Sequence, residues 1–171
     1  ASSALGGGIA NFAAATIISS TISGNSVGRD GAGVYSSGSS STLTITNSTV
    51  AVNSANNLGG GVFLGTSASP TVLHNTVVAG NVGLNNSQAH GTVASNSSHN
   101  LIGLSLGLSG ITNGVNGNQI GVGDPLDPML GPLQDNGGPT WTHVPLPGSL
   151  LIDAGNNANF YQYQSGFTIG S

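Results

Sequence analysis

The sequence predicts an all-β chain, a right-handed parallel β-helix of about four to five rungs with an irregular Pro-rich C-terminal cap. Three observations predict it. Ile17, Ile45, Leu73 and Leu101 recur at a fixed step of 28 residues, and so do Ile22, Val50, Val78 and Leu106. Asn25, Asn53 and Asn81 keep the same step, with Ser109 next. A fixed period in this range marks a repeat architecture. Apolar residues also alternate with Ser and Thr inside each unit (Leu43, Ile45, then Val50, Val52), which is the two-residue period of a half-buried strand.

A second element precedes each unit: Gly6-Gly7-Gly8-Ile9, Gly31-Ala32-Gly33-Val34 and Gly59-Gly60-Gly61-Val62. The turn between this element and the next varies in length while the strands keep register, as expected of stacked rungs. One rung cannot bury its own apolar face, so equivalent positions must stack on one another. In-register parallel stacking puts like residues about 4.8 Å apart. The two aliphatic columns are therefore expected inside the coil. Asn25, Asn53 and Asn81 are expected to form an amide ladder at a bend, each side chain bonded to the copies above and below. Solvent-exposed turn residues are the alternative for that column.

Along the chain, residues 1–123 read as rungs and 124–171 as a Pro-rich capping segment of the same domain. Residues 1–83 hold three regular rungs, 84–89 read as a loop, and 91–94 as a displaced strand. Ser98 to Gly103 is expected to restore the register, and Thr112 to Gly123 to form turns around a last irregular coil. From Asp124 on, six prolines arrive, Pro125, Pro128, Pro132, Pro139, Pro145 and Pro147. Proline cannot serve in interior ladders, so this tail is expected to wrap the end of the coil.

Composition excludes several function classes. The chain has 171 residues, 29 of them Gly, no Lys, no Glu and one Arg, Arg29, and charged residues make up 4%. Nucleic acid requires Lys and Arg to neutralise phosphates, so it is not an expected partner. There is no cysteine, hence no disulfide frame and no thiol chemistry. No apolar run approaches the ~20 residues of a membrane helix. Met129 is the only methionine, so the chain reads as a mature or excised form.

Several segments resemble a known group: His99-Asn100-Leu101-Ile102-Gly103, the run from Asp127 to Thr140 containing Asp135-Asn136-Gly137-Gly138-Pro139-Thr140, Leu146-Pro147-Gly148-Ser149, and Ile152-Asp153-Ala154-Gly155. They are similar to the C-terminal part of secreted bacterial parallel β-helix proteins of the choice-of-anchor Q and CSLREA type, related to polymorphic outer-membrane proteins. The resemblance covers roughly residues 6–170 and implies a β-helix and an extracellular or cell-surface location. It brings no catalytic residue set. Where the family closes with an Asp-Gln-Arg-Gly-like segment, this chain has Tyr163-Gln164-Ser165-Gly166.

Chemistry-bearing side chains are few, and no catalytic, cofactor or metal site is expected. Lyases of β-helix architecture need a cationic base and acid-bound calcium, and hydrolases need carboxylates facing each other across a groove. The carboxylates are Asp30, Asp124, Asp127, Asp135 and Asp153. Asp124 and Asp127 could share a calcium ion, but their places ahead of Pro125 and Pro128 read as turn caps. Asp135 and Asn136 read as a tight turn. His74, His90, His99 and His143 lack short metal-ligand spacing. Asn47, Asn85 and Asn96 fit the N-glycosylation sequon, frequent by chance in so Ser/Asn-rich a chain.

The expected function is therefore non-enzymatic and structural, in a surface stalk or a filament subunit that assembles head to tail with copies of itself. The expected contact packs the tail, through Trp141, Phe160, Tyr161 and Phe167, on a neighbour's first rung at Leu5, Ile9 and Phe12. Such a contact need not close on itself. A glycan-binding adhesin, to which Trp141, Tyr161 and Tyr163 could offer a stacking platform, is the alternative. A passenger segment of a longer protein and a polysaccharide-active enzyme are further ones. Measurable discriminants are an exposed aromatic row, a carboxylate-lined groove, or self-association.

Overall fold

The computed structural model describes residues 4–66 and 69–161, and for Phe160 and Tyr161 the backbone alone. Phe167, Tyr163 and the segment that departs from the family's closing motif lie outside the described residues. The chain is a parallel β-solenoid of three full turns followed by two shortened passes. Turn one carries β1 (Ile9–Asn11), β2 (Ala14–Ile18), β3 (Thr21–Ser23) and β4 (Ser26–Val27). Turn two repeats them as β5 (Val34–Ser36), β6 (Thr42–Thr46), β7 (Thr49–Ala51) and β8 (Ser54–Ala55). Turn three has β9 (Val62–Leu64), β10 (Val72–His74) and β11 (Val77–Ala79). The fourth pass keeps β12 (Ala89–Thr92) and β13 (Leu101–Ile102), and the fifth β14 (Leu108–Ser109) and β15 (Gln119–Ile120).

Equivalent strands stack in parallel. The first sheet runs β1-β5-β9-β12-β14, the second β2-β6-β10, and the third β3-β7-β11-β13-β15. Ile17 pairs with Ile45 and Ile45 with Leu73 in the second sheet, at the step the sequence shows. Their side chains point into one core with Val34, Val50, Val62 and Val78. Ile45, Val50 and Val78 are fully buried. Each such side chain contributes about 1.5–3 kcal/mol through its removal from water.

Two glycine positions explain the run ahead of each turn. Gly31 and Gly59 adopt φ of +69° and +62°, the left-handed region that a Cβ disfavours. Gly33 and Gly61 meet a different demand. A Cβ on Gly33 would lie 2.7 Å from Val50 Cγ1, and one on Gly61 2.6 Å from Asn81 Nδ2. The core and the asparagine column approach the backbone so closely there that only glycine fits. A third column departs from its own rule: Gly24 and Gly80 have φ of +72° and +66°, and between them Val52 is held at +59°. A β-branched residue in that region is strained.

The step changes after the third turn. Val78 pairs with Ile102, not Leu106, and Ile102 with Ile120. The interior column is therefore Ile22, Val50, Val78, Ile102, Ile120. Leu106, expected inside, is 51% exposed. Leu101 is buried but belongs to a different column, because it pairs with Val77 on the opposite face of the third sheet. The cause is the loss of a strand: the second sheet has no member after β10, only bridges from Thr71 to Val93 and from His74 to Ser98. With that side shortened, each later pass closes in fewer residues. Ser109 is accordingly not the next ladder residue but an exposed member of β14 in the first sheet.

The tail also differs from the expected end cap. Residues 124–161 run along the flank of the solenoid as a strap. Leu130 bridges Pro145 and Gln134 bridges Thr142, both antiparallel, so the strap contains an irregular hairpin. Asp135-Asn136-Gly137-Gly138 is its tip, with Asp135 Oδ1 accepting the Gly137 N–H at 2.9 Å and Gly137 at φ +87°. Contacts of the strap reach Ser23 in turn one, Asn75 in turn three, Ser98 in pass four and Gln119 in pass five. A short helix α1 (Asn157–Tyr161) ends the described part. The strap covers the outer face of the third sheet, and this cover is what buries Leu101.

Candidate functional site

Three constructions hold the chain's chemistry-bearing side chains. The first is the asparagine ladder. Asn25 Nδ2 donates to Asn53 Oδ1 and Asn53 Nδ2 to Asn81 Oδ1, each at 2.9 Å. The backbone N–H groups of Asn25 and Asn53 donate to the same two oxygens at 3.0 Å. Asn53 Nδ2 also reaches the carbonyls of Ile22 and Ala51. After Asn81 the acceptor is Gln88, whose Oε1 takes the Asn81 N–H at 2.7 Å. A parallel ladder runs on the neighbouring bend: Ser20 N–H to Ser48 Oγ, Thr76 N–H to Asn100 Oδ1, and Asn100 Nδ2 to Asn118 Oδ1. In the first ladder each asparagine donates to the side-chain oxygen of the next turn; the second does so from turn one to two and from turn three on, while Thr76 Oγ1 donates back to the Ile45 carbonyl of turn two. Buried amides of this kind are stable only because they are satisfied.

The second is an aromatic stack on the outer face of the first sheet. Tyr35 and Phe63 lie parallel with centroids 5.2 Å apart, and Phe63 and His90 parallel at 5.3 Å. Phe12 leans on Tyr35 at 5.8 Å with its ring tilted by 54°. This is an aromatic row, but its ring faces are spent on one another. A Cβ on Gly107 would come within 2.6 Å of His90 Cδ2, so the backbone of the fifth pass closes that end of the stack. Sugar stacking needs a free ring face, and only Phe12, 62% exposed, retains one. The row was legible at a 28-residue step from Tyr35 to Phe63, a column the sequence reading did not use.

The third is the strap and the cleft of about 210 Å³ beneath it, lined by Asn75, His99, Leu101 and Gln119 from the solenoid and Leu130 and His143 from the strap. His143 Nδ1–H donates to the Gly131 carbonyl at 2.7 Å, which leaves its Nε2 to accept from the Ser23 hydroxyl at 2.8 Å. Asn75 is the other clasp: its Nδ2 donates to the Asn156 carbonyl and its Oδ1 accepts the Asn156 N–H, both at 2.9 Å. His74 Nδ1 lies 3.0 Å from Ser98 Oγ. Burial, and secondarily the nearby His99 imidazole, hold the His74 pKa below the usual histidine value.

The remaining candidates are dispersed. Asp30 is buried and accepts from Asn57 Nδ2 at 2.8 Å and the Leu58 N–H at 3.0 Å, with Arg29 Nε at 3.4 Å. Asp127 accepts the Met129 N–H, as a turn cap does, and Asp124 and Asp153 are exposed. Among the described residues no three His or Asp side chains come together as a metal site would require. Asn47 is half-buried and accepts from Asn75 Nδ2, whereas Asn85 and Asn96 are exposed.

Of the residues expected to join copies, Ile9 packs against the core and Leu5 is half-buried. Trp141 is 62% exposed beside the strap's hairpin tip. Among the described residues, the strap's contacts run along the flank of the solenoid, to Ser23, Asn75, Ser98 and Gln119.

The fold and these ladders define a parallel β-solenoid built by side-chain stacking. In comparisons with protein families, curated proteins and solved structures, the chain matches none.

Proposed function

We propose that the chain is a non-enzymatic, extracellular or cell-surface structural element, a rigid β-solenoid segment of a stalk. The observation that carries this reading is the one-way amide ladder. Its side chains are spent on joining turn to turn, and the same geometry can join a further turn. The similarity of the His99–Gly103 and Asp135–Thr140 segments to secreted β-helix proteins supports the location. Of the two structural forms, stalk and head-to-tail filament, the stalk is favoured, because the passes after turn three lose the second sheet and offer a full turn no matching surface. The aromatic row does not favour glycan binding, because it leaves a single free ring face, at Phe12.

The test is an assay for release of new sugar ends from acidic and neutral polysaccharides. No cleavage is expected. Cleavage that Asp135→Asn or Asp30→Asn abolishes, in a variant that remains folded, overturns the structural reading.

A further inference from the structure

Three Asn-Gly steps occur in the sequence, Asn113-Gly114, Asn116-Gly117 and Asn136-Gly137, and all three lie at exposed turns. In such a step the side-chain amide and the next backbone nitrogen can react with each other, because glycine puts no side chain in the way. The reaction requires both groups to be free to reach near-attack distance. The fold gives the three steps different freedom.

At Asn113 both reactants are tied. Its Oδ1 accepts the Ile120 N–H at 2.9 Å, and the Gly114 N–H donates to the Asn118 carbonyl at 2.8 Å. At Asn136 the ties are more numerous. Its Nδ2 donates to the Thr142 carbonyl and hydroxyl at 2.9 and 3.0 Å, and its Oδ1 accepts from Gln134 Nε2 at 3.0 Å. The Gly137 N–H donates to Asp135 Oδ1 at 2.9 Å. The Asn116 side chain, by contrast, makes a single exposed bond, from Nδ2 to the Ser95 carbonyl at 3.2 Å. The Gly117 N–H donates to no described residue. Glycine is also required at 117: its φ is +70°, and a Cβ there would lie 2.7 Å from His99 Cδ2. The packing of His99 therefore keeps a reactive step in the last pass.

We propose that Asn116-Gly117 is a self-modifying site, at which the chain converts its own asparagine to aspartyl and isoaspartyl linkages with water as the only co-reactant. The Gly117 nitrogen attacks Asn116 Cγ. An N–Cγ bond forms, the Cγ–Nδ2 bond breaks, and Nδ2 leaves as ammonia with the proton that Gly117 gives up. Water then opens the cyclic imide at either carbonyl, and nothing is oxidised or reduced. Opening at the main-chain carbonyl leaves a carboxylate there and puts an extra methylene into the backbone.

The consequence falls on the second ladder. The Asn116 carbonyl accepts the His99 N–H at 2.9 Å. The Asn118 N–H donates to the Val115 carbonyl at 3.1 Å, closing the turn that aims Asn118 Oδ1 at Asn100 Nδ2, 2.9 Å away. An added methylene inside that turn parts Val115 from Asn118 and strands the buried Asn100 amide. The site thus loosens the last pass slowly and irreversibly. It stands apart from the stalk reading, and either can fail alone.

The test incubates the whole folded chain at mildly alkaline pH in water enriched in heavy oxygen, and maps the label by peptide mass spectrometry. Label should enter residue 116 about tenfold or more faster than 113 or 136, since each hydrogen bond that must first open slows the reaction. In denaturant the three steps should react at like rates. Amide exchange at Gln119 and Ile120 should be about tenfold faster in the labelled chain than before incubation. Asn116→Gly, which suits the φ of +52° at that position, should keep its protection through the same incubation. Label entering 113 or 136 as fast as 116 in the folded chain, or no label at 116, would overturn the proposal. So would a preference for 116 that persists in denaturant, or a loss of protection that Asn116→Gly shares.

Discussion

The first three turns and the last two passes are built from the same residues under different constraints. In the turns, three sheets surround one core, and the aliphatic positions of turn two have their copies directly above and below. In the passes one sheet is missing, the circumference shrinks, and burial comes partly from outside. Val78 and Leu101 show the contrast. Val78 is buried by stacking inside the coil, whereas Leu101, one sheet neighbour away, is buried by the strap. A solenoid can thus taper without exposing its core, provided that another part of the chain covers the flank the taper leaves apolar.

The largest expected effect breaks the comparison at its strongest point. Ile45→Asp places an unpaired carboxylate between Ile17 and Leu73 at a site with no solvent exposure. The cost of several kcal/mol should abolish cooperative thermal unfolding. Leu106→Asp, at the position where a constant step would put a core residue, should leave the melting curve within about 0.5 kcal/mol of the parent.

Next is the ladder. Asn53→Ala removes the acceptor for two donors of Asn25 and leaves the Ile22 and Ala51 carbonyls without their amide, at about 1–3 kcal/mol for each buried group stranded. Asn25→Ala removes donors only and should cost less than half as much in a denaturant titration.

A sharper contrast comes from Leu101→Ala, expected to cost about 2–5 kcal/mol. Its signature should be local: faster amide exchange in residues 129–155, with turns one to three little changed. Val78→Ala should accelerate exchange throughout.

Two smaller effects complete the series. Val52→Gly relieves a left-handed β-branched residue whose column neighbours are both glycine, and should stabilise by about 1 kcal/mol. His74 gives the pH dependence. Its folded pKa is depressed by burial, so the unfolded chain takes up the proton more readily than the folded one. The stability due to neutral His74 is therefore complete above the ordinary histidine value of 6.5 and is lost as pH falls through the lower folded value. His74→Gln should flatten that slope in melting temperature against pH.

The regular turns were legible because every position in them answers to one constraint. Ile17, Ile45 and Leu73 are apolar for a single reason, and their spacing displays it. The taper was not legible, because the segment from Leu101 to Leu108 offers Leu101, Ile102, Leu104, Leu106 and Leu108 in quick succession. A step of 28 from Leu73 and Val78 finds Leu101 and Leu106, while the actual step of 24 from Val77 and Val78 finds the equally apolar Leu101 and Ile102. The continuation of the ladder was hidden by chemistry: Gln88 replaces asparagine with a longer amide from the adjoining loop. The strap was read as a cap because prolines exclude a ladder role without saying which surface the segment covers. Its contacts through His143 and Asn75 span 120 and 81 residues and match no repeat step, although Asn75 itself stands 28 residues from Asn47.

The change of step underlies both the taper and the strap-covered flank, so it is the claim to test most directly. The chain has no cysteine, which makes paired substitutions unambiguous. Val77→Cys with Leu101→Cys joins register partners on adjacent parallel strands, whose spacing of about 4.8 Å lies within the Cα range of a disulfide. Val77→Cys with Ser105→Cys joins the positions a constant 28-residue step would align. Mild oxidation should close the first pair intramolecularly and leave the second open, as read by thiol titration and mass. Closure of the Val77–Ser105 pair, with the Val77–Leu101 pair remaining free, would contradict the account.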